Sequence, residues 1–313
     1  MYSPETLVTA LEAVGDNRLA ISSSTKPDLM VRMLEILDVH DWHRVLEIGT
    51  GSGYNAALLA HRLGDNQVFS VDVDDDLVAL ARNRLATAGY RPTLKAVDGV
   101  HGLPEHAPFD RIIATCSVPA VPWEWARQLA PDGTILVDLK LANSAGNLVH
   151  LHRVDDRLEG HFTARWAAFM AMRSAVRPEH IARSRRAPGG RSRSTDAPAA
   201  PWSEATVAWF LAQLRLPPDT SFGYDLDDDT RRPVATTFAA PDGSWARVSL
   251  TDTTVTEAGD TPLWPNIEWA YEQWSAAGRP SWDRLGLTVN PDGAHRIWLD
   301  DPSGSHHWLL EGR

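Results

Sequence analysis

A strand that runs into three alternating glycines and then a helix restricts the folds open to this chain more than anything else in it. Residues 44–60 read Arg-Val-Leu-Glu-Ile-Gly-Thr-Gly-Ser-Gly-Tyr-Asn-Ala-Ala-Leu-Leu-Ala. The short apolar run Val45, Leu46, Ile48 has the length of a buried strand, and an apolar helical pattern opens behind the turn. Gly49, Gly51 and Gly53 allow positive φ and let the backbone come close to a ligand. The spacing is G-x-G-x-G, whereas a dinucleotide site carries G-x-G-x-x-G ahead of its helix. The turn therefore predicts a ligand site at a strand end that has no pyrophosphate to hold.

The sequence downstream repeats the strand–helix alternation of a doubly wound, mostly parallel α/β sheet. Residues 67–73 read as a second strand ending at Asp72, an acid placed to accept hydrogen bonds from ribose hydroxyls. Asp74, Asp75 and Asp76 lead into a helical run over 77–85, so Asp74 or Asp75 serves as its N-cap. A third strand over 93–97 is followed by Asp98-Gly99, where an acid and a glycine suit an adenine amine. A fourth strand, 109–115, ends in Thr115 at the crevice where open α/β sheets bind ligands. With Glu47 just before the turn, this order suits a class I S-adenosylmethionine site. Its cofactor-binding candidates are Glu47, Gly49, Thr50, Gly51, Ser52, Gly53, Tyr54, Asn55, Asp72, Val73, Asp98, Gly99 and Thr115.

Residues 45–57, Val97-Asp-Gly99 and Ala107-Pro-Phe-Asp-Arg-Ile112 resemble the protein-L-isoaspartate O-methyltransferase family, over roughly residues 20 to 140. The resemblance implies S-adenosyl-L-methionine as cofactor, with S-adenosyl-L-homocysteine as product. Upstream, Ile21-Ser-Ser-Ser-Thr-Lys-Pro-Asp-Leu-Met30 resembles that family's substrate loop. Registered on Pro27, it sets Thr25 where the family has its active-site serine, with Ser24 one residue away and Ser23 beside it. The plainer alternative is that Ser22 to Thr25 cap a helix over 28–37. The chain also has fewer residues ahead of this loop than the repair enzymes do, so an N-terminal substrate-gripping segment is expected to be short.

After about residue 175 the chain departs from the repair enzymes. Residues 176–201 are rich in Arg, Ser, Pro and Gly with almost no large apolar side chain, which predicts a mobile linker. Residues 202–313 read as a smaller, Trp-rich α+β accessory domain for recognising a peptide. It contains a helix over 264–278 stopped by Gly278, with Ile267, Ala270, Tyr271 and Trp274 on one face. A strand is expected over 244–251, and a hairpin pairs 285–289 with 295–299 through Asn290-Pro-Asp-Gly293. The tryptophans are expected in the core, with Trp264 or Trp308 the ones that would face a peptide.

This Trp-rich tail, with the Ser-Ser-Ser-Thr-x-Pro loop, resembles the branch found with ribosomally made, modified peptides: lanthipeptides, lasso peptides and graspetides. The resemblance implies methylation of an ordinary Asp in a constrained peptide, the ester then losing methanol to form an aspartimide. The partner would be a modified ribosomal peptide.

Such chemistry asks little of acid–base groups, because a carboxylate is already ionised at neutral pH. Proximity, alignment and exclusion of water are what a protein must add. A formal charge of −11 opposes nucleic-acid binding. No stretch approaches the ~20 apolar residues of a membrane span, and the first residues lack signal-peptide parts, so a cytoplasmic enzyme is expected. The single cysteine, Cys116, reads as packing near the site mouth rather than a nucleophile. His101 and His106 lie near the cofactor region, and no metal-ligand spacing is present. Two other readings stay open: general repair of isoaspartate in damaged proteins, and a peptide-binding module with a weak or inactive cofactor fold.

Overall fold

In the computed structural model, residues 7–14, 17–174 and 184–310 are described. The chain divides into two compact units, one of residues 1–140, 147–177 and 282–312, the other of 141–146 and 178–281.

The first unit opens with an antiparallel hairpin of β1 (Leu7–Val14) and β2 (Asn17–Ser24). Helix α1 (Pro27–Leu37) follows, burying Met30, Met33 and Leu37 at helical spacing. Its N-cap residue is Lys26 and has no side-chain cap hydrogen bond, so the capping role considered for Ser23 to Thr25 is not seen; the Ser22 side chain lies outside the described ones. Pro27 at the first helical position, which has no N–H to satisfy, removes part of the need for a cap.

Strand β3 (Val45–Ile48) is buried throughout and leads into α2 (Tyr54–Leu63). Next come β4 (Val68–Asp72), α3 (Asp75–Thr87), β5 (Thr93–Ala96) and β6 (Phe109–Val118). Asp74 caps α3, accepting from Asp76 N and Leu77 N at 3.1 Å. Short α4 (Trp123–Arg127) precedes β7 (Leu129–Ala142), β8 (Ala145–Val154) and β9 (Arg157–Phe162). β3 pairs in parallel with β4 and β6, β4 with β5, and β6 with β7. The chain thus leaves β3 toward β5 on one side and returns to β6 and β7 on the other, and ligand crevices form at such a reversal.

The second unit holds β10 (Arg191–Ser194), α5 (Pro201–Glu204), α6 (Thr206–Gln213), β11 (Ser221–Leu226), β12 (Pro233–Ala239), β13 (Trp245–Ser249), β14 (Thr254–Ala258) and α7 (Leu263–Ala276). Its strands form an antiparallel sheet in the order β10-β14-β13-β12-β11. Trp209, Phe210, Phe238 and Trp264 are fully buried. The indole N–H groups of this core have partners: Trp209 donates to Asn143 O at 3.0 Å, and Trp264 to Thr195 Oγ1 at 2.8 Å. Trp264 is therefore core, not a peptide-facing side chain.

Two expectations about organisation change. Part of the expected linker, 176–183, lies outside the described residues, but residues 191–194 form β10 rather than a tether. Arg193 is the reason: its guanidinium grips both oxygens of Glu268 at 2.6 and 2.7 Å and reaches Glu257 at 3.2 Å. Arg186 lies over the Trp245 ring. These arginines are thus occupied inside their own unit.

The second change concerns residues 282–310, which do not belong with 202–281. They return to the first unit as β15 (Leu285–Val289), β16 (His295–Leu299) and β17 (His307–Leu310), with β15 antiparallel to β9. Edge strands present unpaired backbone groups, and β15 removes that exposure from β9. Gly286 faces Trp298 across the hairpin, where an added Cβ would lie 2.1 Å from the ring. The large sheet therefore runs β17-β16-β15-β9-β8-β7-β6-β3-β4-β5, parallel on one side and antiparallel on the other, so it is mixed rather than mostly parallel.

Candidate active site

A cavity of about 560 Å³ in the first unit opens beyond the carboxyl ends of β3, β4 and β6. One wall is the glycine turn. Gly49 has φ +99°, and a Cβ there would meet Thr115 Oγ1 at 2.9 Å. That hydroxyl donates to Gly49 O at 2.7 Å, tying the turn to β6. Both the backbone angle and the close approach require glycine at this position.

Beneath the turn, Glu47 is fully buried and both its oxygens are taken. Asn55 Nδ2 donates to Oε1 at 2.8 Å, and Ser70 Oγ to Oε2 at 2.5 Å. Burial pushes this carboxyl up to about 7, against the pull of the two hydrogen bonds. Ser70 also lies 2.6 Å from Thr50 Oγ1, so a buried polar network joins β3, β4 and the turn. Asp72, at the end of β4, accepts from Gly51 N at 2.9 Å and from Arg173 at 3.3 Å.

The hydroxyl segment shares the cavity with the turn. Ser23, Ser24 and Thr25 all line the cavity. Ser23 Oγ reaches Met170 Sδ at 3.4 Å, while the Ser24 and Thr25 hydroxyls have no hydrogen-bond partner among the described residues.

Of the cofactor candidates, Glu47, Gly49, Thr50, Gly51, Ser52, Tyr54, Asn55, Asp72, Val73, Gly99 and Thr115 line this cavity. Gly53 and Asp98 are not among its lining residues. Gly53 is the N-cap of α2, where a Cβ would meet Ala81 of α3 at 3.2 Å, so that glycine serves helix packing. Asp98 instead accepts from Val100 N and Ser174 Oγ, each at 3.0 Å. His101 and His106 also lie away from the lining; the His106 ring packs on Phe69. Cys116 does line it, but burial pushes its thiol up to about 12, which fits packing rather than attack.

Sequence reasoning passed over residues 163–174, whose members from Arg165 to Arg173 close the cavity. This segment is stitched to the sheet. Ser117 N donates to Met170 O and Met172 N to Ser117 O, each at 2.8 Å. Phe169 N donates to Asp138 Oδ2 at 2.8 Å, and Lys140 Nζ to Phe169 O. Asp138 is buried and pushed up to about 6. The one sequence signal was the pair of charged residues, Asp138 and Lys140, within an apolar strand. Arg173 bonds Asp74 as well as Asp72.

A family model described as protein-L-isoaspartate(D-aspartate) O-methyltransferase matches residues 6–171. The chain is 39% identical over 135 residues to a protein-L-isoaspartate O-methyltransferase of Methanococcoides burtonii, covering 40% of this chain and 66% of that one. With its counterpart from Anaeromyxobacter dehalogenans it shares 39% identity over 155 residues, 47% of this chain and 72% of the other. The chain spans roughly half to two thirds of the length of most of the curated relatives it matches. A solved protein-L-isoaspartate O-methyltransferase structure overlays with a TM-score of 0.56 at 24% identity, covering 96% of this chain and 87% of that one, a likeness of fold.

The cofactor is S-adenosyl-L-methionine, and the lining residues suit it. Gly49 and Gly51 present bare backbone to the cavity, and Asp72 stands at the strand end as a hydroxyl acceptor. The matched segment includes the whole glycine turn, the hydroxyl segment and the closing strap up to Ala171, and the chain belongs to the protein-L-isoaspartate O-methyltransferase family.

Proposed function

We infer that the chain is a carboxyl O-methyltransferase acting on aspartyl-type carboxylates of peptides. One observation carries this: partner-free hydroxyls of Ser24 and Thr25 share a cavity with the glycine turn and Asp72. When bound, the cofactor supplies a methyl group on a positively charged sulfur. Glu47, Thr50 and Ser70 keep the turn in shape beneath it, and Asp72 accepts from its ribose. Thr25 or Ser24 donates to one oxygen of the acceptor carboxylate and aims the other. No general base is required, since that carboxylate is ionised. Exchange of water for positioned dipoles around two opposite charges that neutralise each other favours the transition state.

Family membership supports isoaspartyl groups of proteins as the acceptor. A narrower acceptor, an ordinary Asp in a constrained ribosomal peptide with the ester closing to an aspartimide, is favoured by one feature, Thr25 at the expected serine position.

Intact-mass assays with S-adenosyl-L-methionine separate the two. Methylation of short, flexible isoaspartyl peptides supports repair. Methylation followed by methanol loss on a cyclised or bridged Asp peptide, with the flexible peptides untouched, supports tailoring. Donor binding without ester on any peptide would remove the transferase assignment.

A further inference from the structure

The cavity is electrically lopsided. Its turn end carries Glu47 and Asp72, and the arginine there, Arg173, is paired with Asp72 and Asp74. Its hydroxyl end carries Lys26, Arg32 and Arg165 with a single acid, Asp28. Among the described residues none of these four forms an ion pair within 4.0 Å. A chain of formal charge −11 thus gathers an unpaired cationic cluster beside the groups that would orient the acceptor.

Arg32 is the most confined of the three. Lys26 and Arg165 are exposed, whereas Arg32 is half-buried on α1. Among the described residues its Nη2 makes one long contact, 3.5 Å to Trp166 O, and its buried Nε has no partner. Burial and the neighbouring Arg165 both hold this guanidinium below its ordinary value, and Asp28 opposes them. A buried donor without an acceptor is costly, and a guanidinium fork fits a carboxylate through two parallel hydrogen bonds. Lys26, Arg32 and Arg165 exceed Asp28 by two positive charges, and one ionised acceptor carboxylate answers half of that excess.

We propose that Arg32 and Arg165, helped by Lys26, form a subsite for a second carboxylate, so that the cavity selects peptides with an acidic residue beside the one methylated. The subsite rests on the carboxyl-transfer reading of the same cavity. It determines specificity by binding and takes no part in the transfer itself. Opposite charge at a partly desolvated position acts on affinity and on the rejection of wrong partners.

Two short isoaspartyl peptides test this, one with a glutamate on each side of the isoaspartyl residue and one with glutamines. Binding is measured by calorimetry with S-adenosyl-L-homocysteine present, and ester formation by mass with S-adenosyl-L-methionine. The expected result is about tenfold tighter binding of the glutamate peptide, appearing in KM rather than kcat and shrinking with added salt. Arg165→Gln and Arg32→Gln should each bring the preference below about threefold. Arg165 is exposed, so its variant keeps the test sound should Arg32→Gln fold poorly. Equal binding of the two peptides, or a preference that survives both substitutions, overturns the subsite. Preferential binding with no ester on either peptide would keep the anion subsite and overturn the transfer reading instead.

Discussion

The parallel side of the large sheet and the 178–281 unit bury different kinds of polar group: a hydrogen-bonded carboxyl beside a cavity in one, indole N–H groups within a packed aromatic core in the other. In the second unit the indole N–H groups of Trp209 and Trp264 are matched, and the Phe238 ring packs against Trp202, Trp209 and Trp264. At the glycine turn, a carboxyl is buried and pushed up to about 7, and glycines stand where side chains would fill space. Matched polar atoms and filled volume give stability; perturbed titration around a cavity marks a place where chemistry is done.

That contrast can be broken by substitution. Trp264→Ala should have the largest effect, a loss of about 3–5 kcal/mol in denaturant unfolding, from the cavity left and the lost indole hydrogen bond to Thr195, whose hydroxyl keeps Glu268. Donor affinity of the folded fraction should stay within about twofold, and a parallel loss of affinity would show that the two regions are not separable.

Glu47 gives the next effect. The folded protein holds this proton up to about pH 7, whereas an ordinary glutamate releases it near 4.5. The folded state therefore binds the extra proton in that window. The stabilising contribution is complete below pH 4.5 and is lost as pH rises to 7, on the order of 2–3 kcal/mol. Melting temperature against pH for Glu47→Gln should be flatter across this window than for the parent. An unchanged slope would mean that Glu47 is not the titrating group.

Thr25→Ala should lower the rate of ester formation about tenfold and Thr25→Ser should restore it. If Ser24→Ala produces that loss instead, the segment acts one residue out of the expected register. Cys116→Ala should change the rate by less than about twofold, consistent with a thiol pushed too high to be a nucleophile.

Local pattern made the parallel side readable. The apolar strand at 45–48, the glycine turn, the acid at 72 and the cap at 74 are short-range features, and they lie where periodicity and turn chemistry put them. The same holds for the 285–289 and 295–299 hairpin. What the hairpin pairs with is a different matter. β9 precedes it by more than a hundred residues, and nothing local in Leu285 to Val289 names that partner. Composition misled at Arg193, because a strand of Arg and Ser carries no apolar signal and is secured by Glu257 and Glu268 from distant elements. The segment over 163–174 was missed for the same reason, its contacts being backbone bonds to Ser117 and Asp138. Gly53 and Asp98 carry roles that the motif did not announce, in helix packing and in a turn.

Asp72 is already spoken for by Gly51, Asp74 and Arg173. A ribose diol arriving at this acid has to compete with the guanidinium, whereas the peptide nitrogens can remain. Arg173 would keep Asp74 as its partner, and the bonds of Met170 and Met172 to Ser117 hold the segment, so in the proposed transfer donor binding would re-pair one guanidinium at this acid and leave the cavity wall in place.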